Sequence, residues 1–236
     1  SVLTNTIDEK VKVQKMILNI MTEVLQESVA IGLKDCFYLH IAPNLGKGIN
    51  GERIKFATNT DIGTTDIQLM ISGAIKEKGL LVLLNNYIKA RTGYFPLGES
   101  FTVRDAPNDI KGLLNICLNK IEKKNMPVLI GVGDTVTSNK DVETDKYFRG
   151  GSDRGFLTLI QELGFTYGLS NKVILVDSSG GEVERPSLKN NNLNGISDDD
   201  DPLKFNIIFD GGPTAYTNWF HTFARSRYLE KNTSNS

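Results

Sequence analysis

The chain lacks the features that several large classes of protein require. Its 236 residues contain two cysteines, Cys36 and Cys117, in apolar surroundings, which favours reduced core thiols of a cytoplasmic protein over a disulfide framework. No apolar run approaches the roughly 18 residues of a membrane-spanning helix, and the N-terminus has no signal-peptide pattern. A net charge of −1 provides no basic surface for nucleic acid. Composition therefore predicts a cytoplasmic globular protein without membrane or nucleic-acid partners, and it indicates no oligomeric state.

Familiar catalytic signatures are also missing. The two histidines, His40 and His221, have no second histidine at ligand spacing, so no zinc site is expected. Neither a G-x-S-x-G nucleophile elbow nor a G-x-x-x-x-G-K-[ST] phosphate loop occurs. Trp219, Phe220 and Phe223 are more typical of a packed core than of ligand stacking. The residues left to carry chemistry are charged side chains at predicted helix and strand ends.

Residues 1–72 predict a small α+β layer. Apolar residues at helical spacing between Asp8 and Ala30 predict an amphipathic helix with one buried face, and Gly32 is placed to end it. Short strands are predicted at Cys36–Asn44, Arg53–Asn59 and Asp66–Ser72.

From Gly73 onward the pattern is that of an α/β domain. Two predicted helices, one from Gly73 to near Gly93 and one from Asp109 to Lys123, precede the apolar strand PVLIGVGD, and two more strands and two helices follow it. This succession fits the latter part of a doubly wound α/β core. The polar insert Ser138–Gly151 is expected on the surface, and Ser187–Asp201 is expected to be a flexible loop.

Two aspartates stand where a metal ion would be useful. Asp134 ends the strand PVLIGVGD, and ligands of open α/β sheets bind at the carboxyl ends of strands. Asp153 opens the next helix, which runs to Leu163 with Gly164 after it. Two carboxylates at one strand end suit a hard cation such as Mg²⁺. The ordinary alternatives are a turn residue at Asp134 and helix capping by Ser152 or Asp153.

Lys76 is a third candidate. It lies in the first turn of a predicted helix, where a positive charge opposes the helix dipole. It can hold a phosphate group as a point charge. The residues alone favour the alternative of a solvated surface lysine.

Together these segments resemble the haloacid dehalogenase superfamily of phosphatases. KEKGLLVLL resembles its lysine motif, and VGD with SDRGFLTLIQEL resembles its later pair of aspartates. The insert Ser138–Gly151 separates the two aspartates more widely than is usual in that superfamily.

A narrower resemblance covers most of residues 10–215. The blocks HIAPNLG, GTTDIQLM, RTGYFPLGESF, MPVLIGVGDTVTSN and VDSSGGEV are similar to the glucosylglycerol-phosphate phosphatase family. The resemblance implies a haloacid dehalogenase-like core, present here in part as residues 73–236, with an α+β cap portion at residues 1–72. It implies Mg²⁺-dependent hydrolysis of a small-molecule sugar phosphate, glucosylglycerol 3-phosphate, to the compatible solute glucosylglycerol, which protects cells under salt stress.

The chain departs from the family at the attacking residue. The nucleophile motif D-x-D-x-[TV] should follow an apolar strand near the N-terminus, and it is absent. Asp210 in IIFDGGPT is the nearest likeness, but Gly212 stands where the acid–base aspartate belongs. We therefore expect a C-terminal portion of a longer enzyme, inactive alone.

The resemblance also assigns roles. Lys76 would steady the phosphoryl group, Asp134 and Asp153 would bind the metal ion, and the role of Asp177 is open. Candidate sugar contacts are Asn44, Thr64, Thr65, Asp66, Glu99, Ser100 and Arg104. For the cap residues among these, turn chemistry is an equal alternative.

Three rival functions follow from the same residues. The chain can be a non-catalytic fragment that binds sugar phosphate, or a phosphatase for another sugar phosphate such as sucrose or trehalose phosphate. A sugar transferase is disfavoured because no nucleotide-sugar site is visible.

Overall fold

A computed structural model describes residues 6–42, 47–48, 51–73, 75–140, 145–181 and 185–233. Within these ranges the strands form four small sheets. The helices are α1 (Ile7–Ala30), α2 (Lys76–Thr92), α3 (Ile110–Lys120), α4 (Arg154–Tyr167) and α5 (Gly212–Thr233). The strands are β1 (Phe37–Ala42), β2 (Lys47–Gly48), β3 (Gly51–Glu52), β4 (Asp66–Ile71), β5 (Ile130–Gly133), β6 (Thr137–Lys140), β7 (Tyr147–Gly150), β8 (Lys172–Val176) and β9 (Ile207–Phe209). Within these ranges no helix has the length and apolar character needed to cross a membrane.

A parallel sheet of order β5-β8-β9 forms the centre of the second half. Leu175 and Ile208 belong to the core that α2, α3 and α4 build on one face. On alternate positions Phe209 faces α5, where its ring lies 5.8 Å from that of Tyr216. Helices therefore cover both faces of a parallel sheet, which confirms the expected α/β, haloacid dehalogenase-like fold class.

Two glycines in β5 let α4 lie directly against the sheet. A Cβ atom on Gly131 would be 2.6 Å from Cδ1 of Ile160, and one on Gly133 would be 2.8 Å from Cβ of Asp153. Such distances are shorter than van der Waals contact. The GVG sequence of β5 therefore sets the position of the N-terminal end of α4 and of Asp153.

The first half is built on an antiparallel ribbon of β1 and β4, in which His40 pairs with Gln68 and Ala42 with Asp66. Side chains alternate between the two faces of a strand. α1 packs against the ribbon, and Ile41 is buried there. The other face, which carries His40 and Asp66, is turned toward the parallel sheet.

The prediction that α1 has one buried face is wrong for most of the helix. Ile20 is 50% exposed and Ile31 is 74% exposed. A 24-residue helix is about 36 Å long, whereas six-residue strands span only about 20 Å, so the ribbon covers only part of it. The buried contact is polar, because Gln14 donates to the carbonyls of Ile62 and Thr64 and accepts from the amide of Ala57.

Two further expectations about the first half are wrong. The predicted strand Arg53–Asn59 does not form. Both the backbone amide and the carbonyl of Lys55 bond to Thr64 and close a loop instead. Cys36 is exposed rather than buried, while Cys117 is buried. Burial raises the pKa of the Cys117 thiol to about 12, so this thiol is unreactive.

The polar insert, expected on the surface, contains the antiparallel strands β6 and β7, and Ser138 within it is buried. The expected flexible loop at 187–201 is fixed by ion pairs of Arg149 with Asp198 and of Arg154 with the fully buried Asp201. α4 continues past Gly164 to Gly168, whose φ of 62° ends it. Acidic runs that read as flexible in the sequence thus serve as partners for two arginines.

The role of the β5 glycines can be tested by adding one methyl group. We expect Gly131→Ala to lower the free energy of unfolding by about 1–3 kcal/mol, since the added Cβ overpacks the contact with α4. The matched control is Gly79→Ala in α2, where an added Cβ meets open space, and it should stabilise the helix by about 0.5–1 kcal/mol. Urea denaturation measures both, and equal stability of the two variants would contradict this packing.

Candidate active site

A cleft of about 120 Å³ lies between the β1–β4 ribbon and the carboxyl end of β5. The ribbon contributes His40, Ala42, Asp66, Gln68 and Met70. The side of the parallel sheet contributes Asp134, Thr135 and the loop residue Arg185. This is the edge of an open α/β sheet where ligands characteristically bind.

Asp153 is the most buried ionisable group beside this cleft, with a side chain only 4% exposed. Its Oδ2 accepts from the backbone amides of Asp134 and Thr135, each at 2.9 Å, and its Oδ1 pairs with Nζ of Lys76. A carboxylate has about four accepting sites, and these contacts occupy three of them. Asp153 therefore fixes the turn after β5 and the Lys76 ammonium together.

One alternative from the sequence was that Asp153 caps its own helix, and the structure shows that it does not. It occupies the N-cap position of α4, but its side chain makes no capping hydrogen bond. A capping side chain needs an extended backbone at that residue, whereas Asp153 has helical angles of φ −100° and ψ −16°. The side chain is thereby free to turn back toward β5.

Lys76 is the first residue of α2 and is half exposed, yet its ammonium meets a carboxylate 77 positions away. Glu77 beside it packs where Gly155 of α4 leaves space, because a Cβ on that glycine would lie 1.5 Å from the Glu77 carboxylate. Burial raises the pKa of Glu77 above its ordinary value. The N-terminal turns of α2 and α4 thus contact each other.

Asp134 faces the cleft more openly. Its Oδ1 accepts from the hydroxyl of Thr135, and its Oδ2 pairs with the guanidinium of Arg185, which also donates to Ser178 at 2.8 Å. Burial acts to raise the pKa of Asp134, but the Thr135 hydrogen bond and the charge of Arg185 hold it below its ordinary value. The carboxylate is therefore held in its ionised form, and it is only partly buried.

Sequence reasoning missed Arg185 and the place of His40 in the cleft. Arg185 stands in a loop of Gly, Glu and Pro without periodicity, so nothing local distinguishes it. Asp177, whose role was open, holds that loop by accepting from the amides of Ser179 and Leu188. These hydrogen bonds lower the pKa of Asp177, although its burial acts in the opposite direction.

The predicted sugar contacts fall in different places. Asp66 lines the cleft. Thr64 is buried and accepts from Gln14 through its carbonyl, while Thr65 is exposed and donates to the carbonyl of Ala42. The remaining candidates lie outside the cleft lining or outside the residues that the structure describes: Glu99, Ser100 and Arg104 are exposed in the connection between α2 and α3, and Asn44 is not described. Their predicted roles stay predictions.

The cleft fits a magnesium ion only in part. Across the part of the chain that is described, no group of three or more His, Cys, Asp or Glu side chains could hold a metal. Mg²⁺ is usually held by one or two carboxylates together with water and substrate phosphate. Asp134 is the better candidate because its side chain is 41% exposed, although its oxygens bond to Thr135 and Arg185. The Asp153 carboxylate is almost fully buried, and both of its oxygens are bonded within the protein.

A family model and a curated protein match this chain, and they carry the same description. Residues 1–224 match the family model of glucosylglycerol-phosphate phosphatase. The chain is 43% identical over 226 residues to the glucosylglycerol-phosphate phosphatase of Synechocystis sp., covering 91% of this chain and 54% of that protein. The chain thus spans about half the length of the curated relative that it matches. No solved structure matches it.

The contacts of Asp153 predict a graded loss of stability. We expect Asp153→Ala to lower the free energy of unfolding by about 2–4 kcal/mol, because two amides lose an acceptor and Lys76 loses its counter-charge. Asp153→Asn keeps an acceptor oxygen and should lose less.

Urea denaturation measures both variants. The control is Glu122→Ala, which breaks the exposed ion pair with Lys124 and should change stability by no more than about 0.5 kcal/mol. An Asp153→Ala protein as stable as this control would contradict the conclusion that Asp153 links α4, the turn after β5 and the start of α2.

Proposed function

The chain belongs to the glucosylglycerol-phosphate phosphatase family, and we propose that it carries the phosphate-binding part of an enzyme that hydrolyses glucosylglycerol 3-phosphate to glucosylglycerol and phosphate. The observation that carries this proposal is the convergence of Lys76, Asp134 and Arg185 at the carboxyl end of the parallel sheet, within the matched residues. The two cationic side chains are suited to contact the oxygens of a phosphate monoester, and the ionised carboxylate is suited to a divalent cation that helps to bind it.

The chain's own residues have distinct parts in this proposal. Lys76 and Arg185 neutralise the charge of the phosphoryl group, which is the main requirement of phosphoryl transfer. Asp153 positions Lys76 and the turn that carries Asp134. Asp134 would hold Mg²⁺, which when bound supplies further neutralisation of phosphoryl charge.

We include in the proposal that the attacking aspartate is not among these 236 residues. No D-x-D-x-[TV] motif occurs in the sequence, and the curated relative is nearly twice as long as the matched region. In the superfamily that aspartate bonds to phosphorus while the alcohol leaves with a proton, and water then releases phosphate. Without it, the chain alone binds the ester but does not cleave it.

The β1–β4 ribbon and the parallel sheet support different roles for the two parts of the chain. Residues 1–72, with the antiparallel ribbon, form the cap portion that contacts the sugar, and residues 73–236, with the parallel sheet, form the part of the core that contacts phosphate. The cleft between ribbon and sheet supports this assignment. We place the reaction in the cytoplasm, in synthesis of a compatible solute under salt stress.

The metal role of Asp134 predicts a loss of rate. In the natural full-length protein we expect Asp134→Asn to lower kcat/KM for glucosylglycerol 3-phosphate by about 10²–10³-fold, since a neutral amide holds Mg²⁺ poorly. Phosphate release, measured with Mg²⁺ and with chelator, checks this. Asp199→Asn, an exposed aspartate, is the control and should retain the parent rate; unchanged activity of Asp134→Asn would remove the metal role.

The absence of the nucleophile motif predicts that the 236 residues alone release no phosphate from glucosylglycerol 3-phosphate in the presence of Mg²⁺. The natural full-length protein, assayed beside them, should do so, and faster than with sucrose or trehalose phosphate. Turnover by the 236 residues alone would show that one of their own side chains attacks phosphorus.

A further inference from the structure

The face of the β1–β4 ribbon that borders the cleft is polar in a specific pattern. Cross-strand pairing places His40 beside Gln68 and Ala42 beside Asp66 on this one face, with Met70 further along β4. The Gln68 amide donates to the Asp66 carboxylate. Hydrogen-bonding groups therefore lie next to small or apolar side chains, and the whole set faces Asp134 and Arg185 across the cleft.

Glu52 fixes the ring of His40. Nδ1 of His40 lies 3.1 Å from Oε2 of Glu52, and the same oxygen accepts from the amide of Ile41 at 2.8 Å. The Glu52 side chain is only 8% exposed, so it is held in place. Because a carboxylate only accepts, Nδ1 carries the proton, and Nε2, which has no hydrogen-bond partner among the described residues, is the ring nitrogen available to a ligand in the cleft.

The two sides of the cleft differ in the charged groups that a ligand would meet. On the ribbon side the hydrogen bond to Glu52 raises the pKa of His40 against the effect of burial, and the charges of Glu52 and Asp66 raise it further. On the sheet side Arg185 and Lys76 are positively charged, and each is paired with a carboxylate, Asp134 or Asp153. A phosphate group therefore finds cations on the sheet side, whereas the carboxylates near His40 disfavour an anion at the ribbon side.

A hydroxyl group matches His40 in either protonation state. It accepts from Nε2–H of the charged ring and donates to Nε2 of the neutral ring. A phosphate dianion cannot donate to the neutral ring, and it is repelled by the nearby carboxylates. The ribbon face therefore suits the polyol part of a phosphate ester.

We propose that His40 binds a hydroxyl group of the uncharged polyol portion of the substrate through Nε2, and that Glu52 is its positioning residue. The proposal rests on the proposed function for the identity of the ester. Asp66 and Gln68 complete the hydroxyl-binding face, and the apolar Ala42 and Met70 contact carbon atoms of the polyol. His40 thereby determines preference for a hydroxyl-rich leaving group.

The chain contains only two histidines, His40 and His221, which makes NMR of the imidazole signals a direct test. We titrate the protein with glucosylglycerol and, separately, with inorganic phosphate. We expect glucosylglycerol to shift the His40 signals and to leave those of His221, on the exposed part of α5, unchanged. Phosphate should leave His40 unchanged. Binding of glucosylglycerol without a response of His40, or no binding at all, would overturn the proposal.

Substitutions of the two histidines test whether glucosylglycerol binding depends on His40. His40→Ala should weaken glucosylglycerol binding by about 10–100-fold, the value of a hydrogen bond to a charged group, whereas the matched His221→Ala should not change it. His40→Gln keeps a polar amide and should recover part of the affinity. Equal affinity of His40→Ala and the parent protein would overturn the role of His40.

The positioning role of Glu52 has its own readout. Glu52→Gln removes the carboxylate that raises the pKa of His40, so the NMR titration midpoint of His40 should fall and that of His221 should not. Glucosylglycerol affinity should fall with it; an unchanged midpoint would overturn the positioning role. These binding results are independent of turnover: if the natural full-length protein bound glucosylglycerol through His40 but cleaved no glucosylglycerol 3-phosphate, the proposed function alone would fail.

Discussion

The buried carboxylate of Asp153 is the constraint on which the site depends. An ionised carboxylate out of water is stable only when its oxygens are bonded, and the bonds here come from the turn after β5 and from Lys76 of α2. Its place against β5 exists because Gly133 has no side chain. One charged group therefore holds a strand end and two helix ends in a single geometry.

That geometry gives the cleft an uneven distribution of charge. Arg185 and Lys76 lie on the sheet side, paired with Asp134 and Asp153, while the carboxylates of Glu52 and Asp66 lie near His40 at the ribbon side. The pKa of Asp134 stays low despite burial because Thr135 and Arg185 favour its ionised form.

Much of the fold was predictable because its signals are local. The periods of α2 and α4, the apolar strand β8 and the Gly-Asp end of β5 can be read from neighbouring residues. The wrong expectations concern contacts with distant residues. Arg53–Asn59 alternates like a strand, but its backbone bonds to Thr64. The apolar stripe of α1 is that of a buried helix, but the ribbon is too short to cover it.

The sequence by itself determined the α/β class, the family, and the candidates Lys76, Asp134 and Asp153, because residue types at strand and helix ends carry that information. The tertiary structure alone decided how they are partnered. The Lys76–Asp153 pair spans 77 positions, and the pair of Arg185 with Asp134 spans 51. No period or motif connects residues so far apart; only the close approach of α4 to β5, and the return of the loop after β8, brings their charges together.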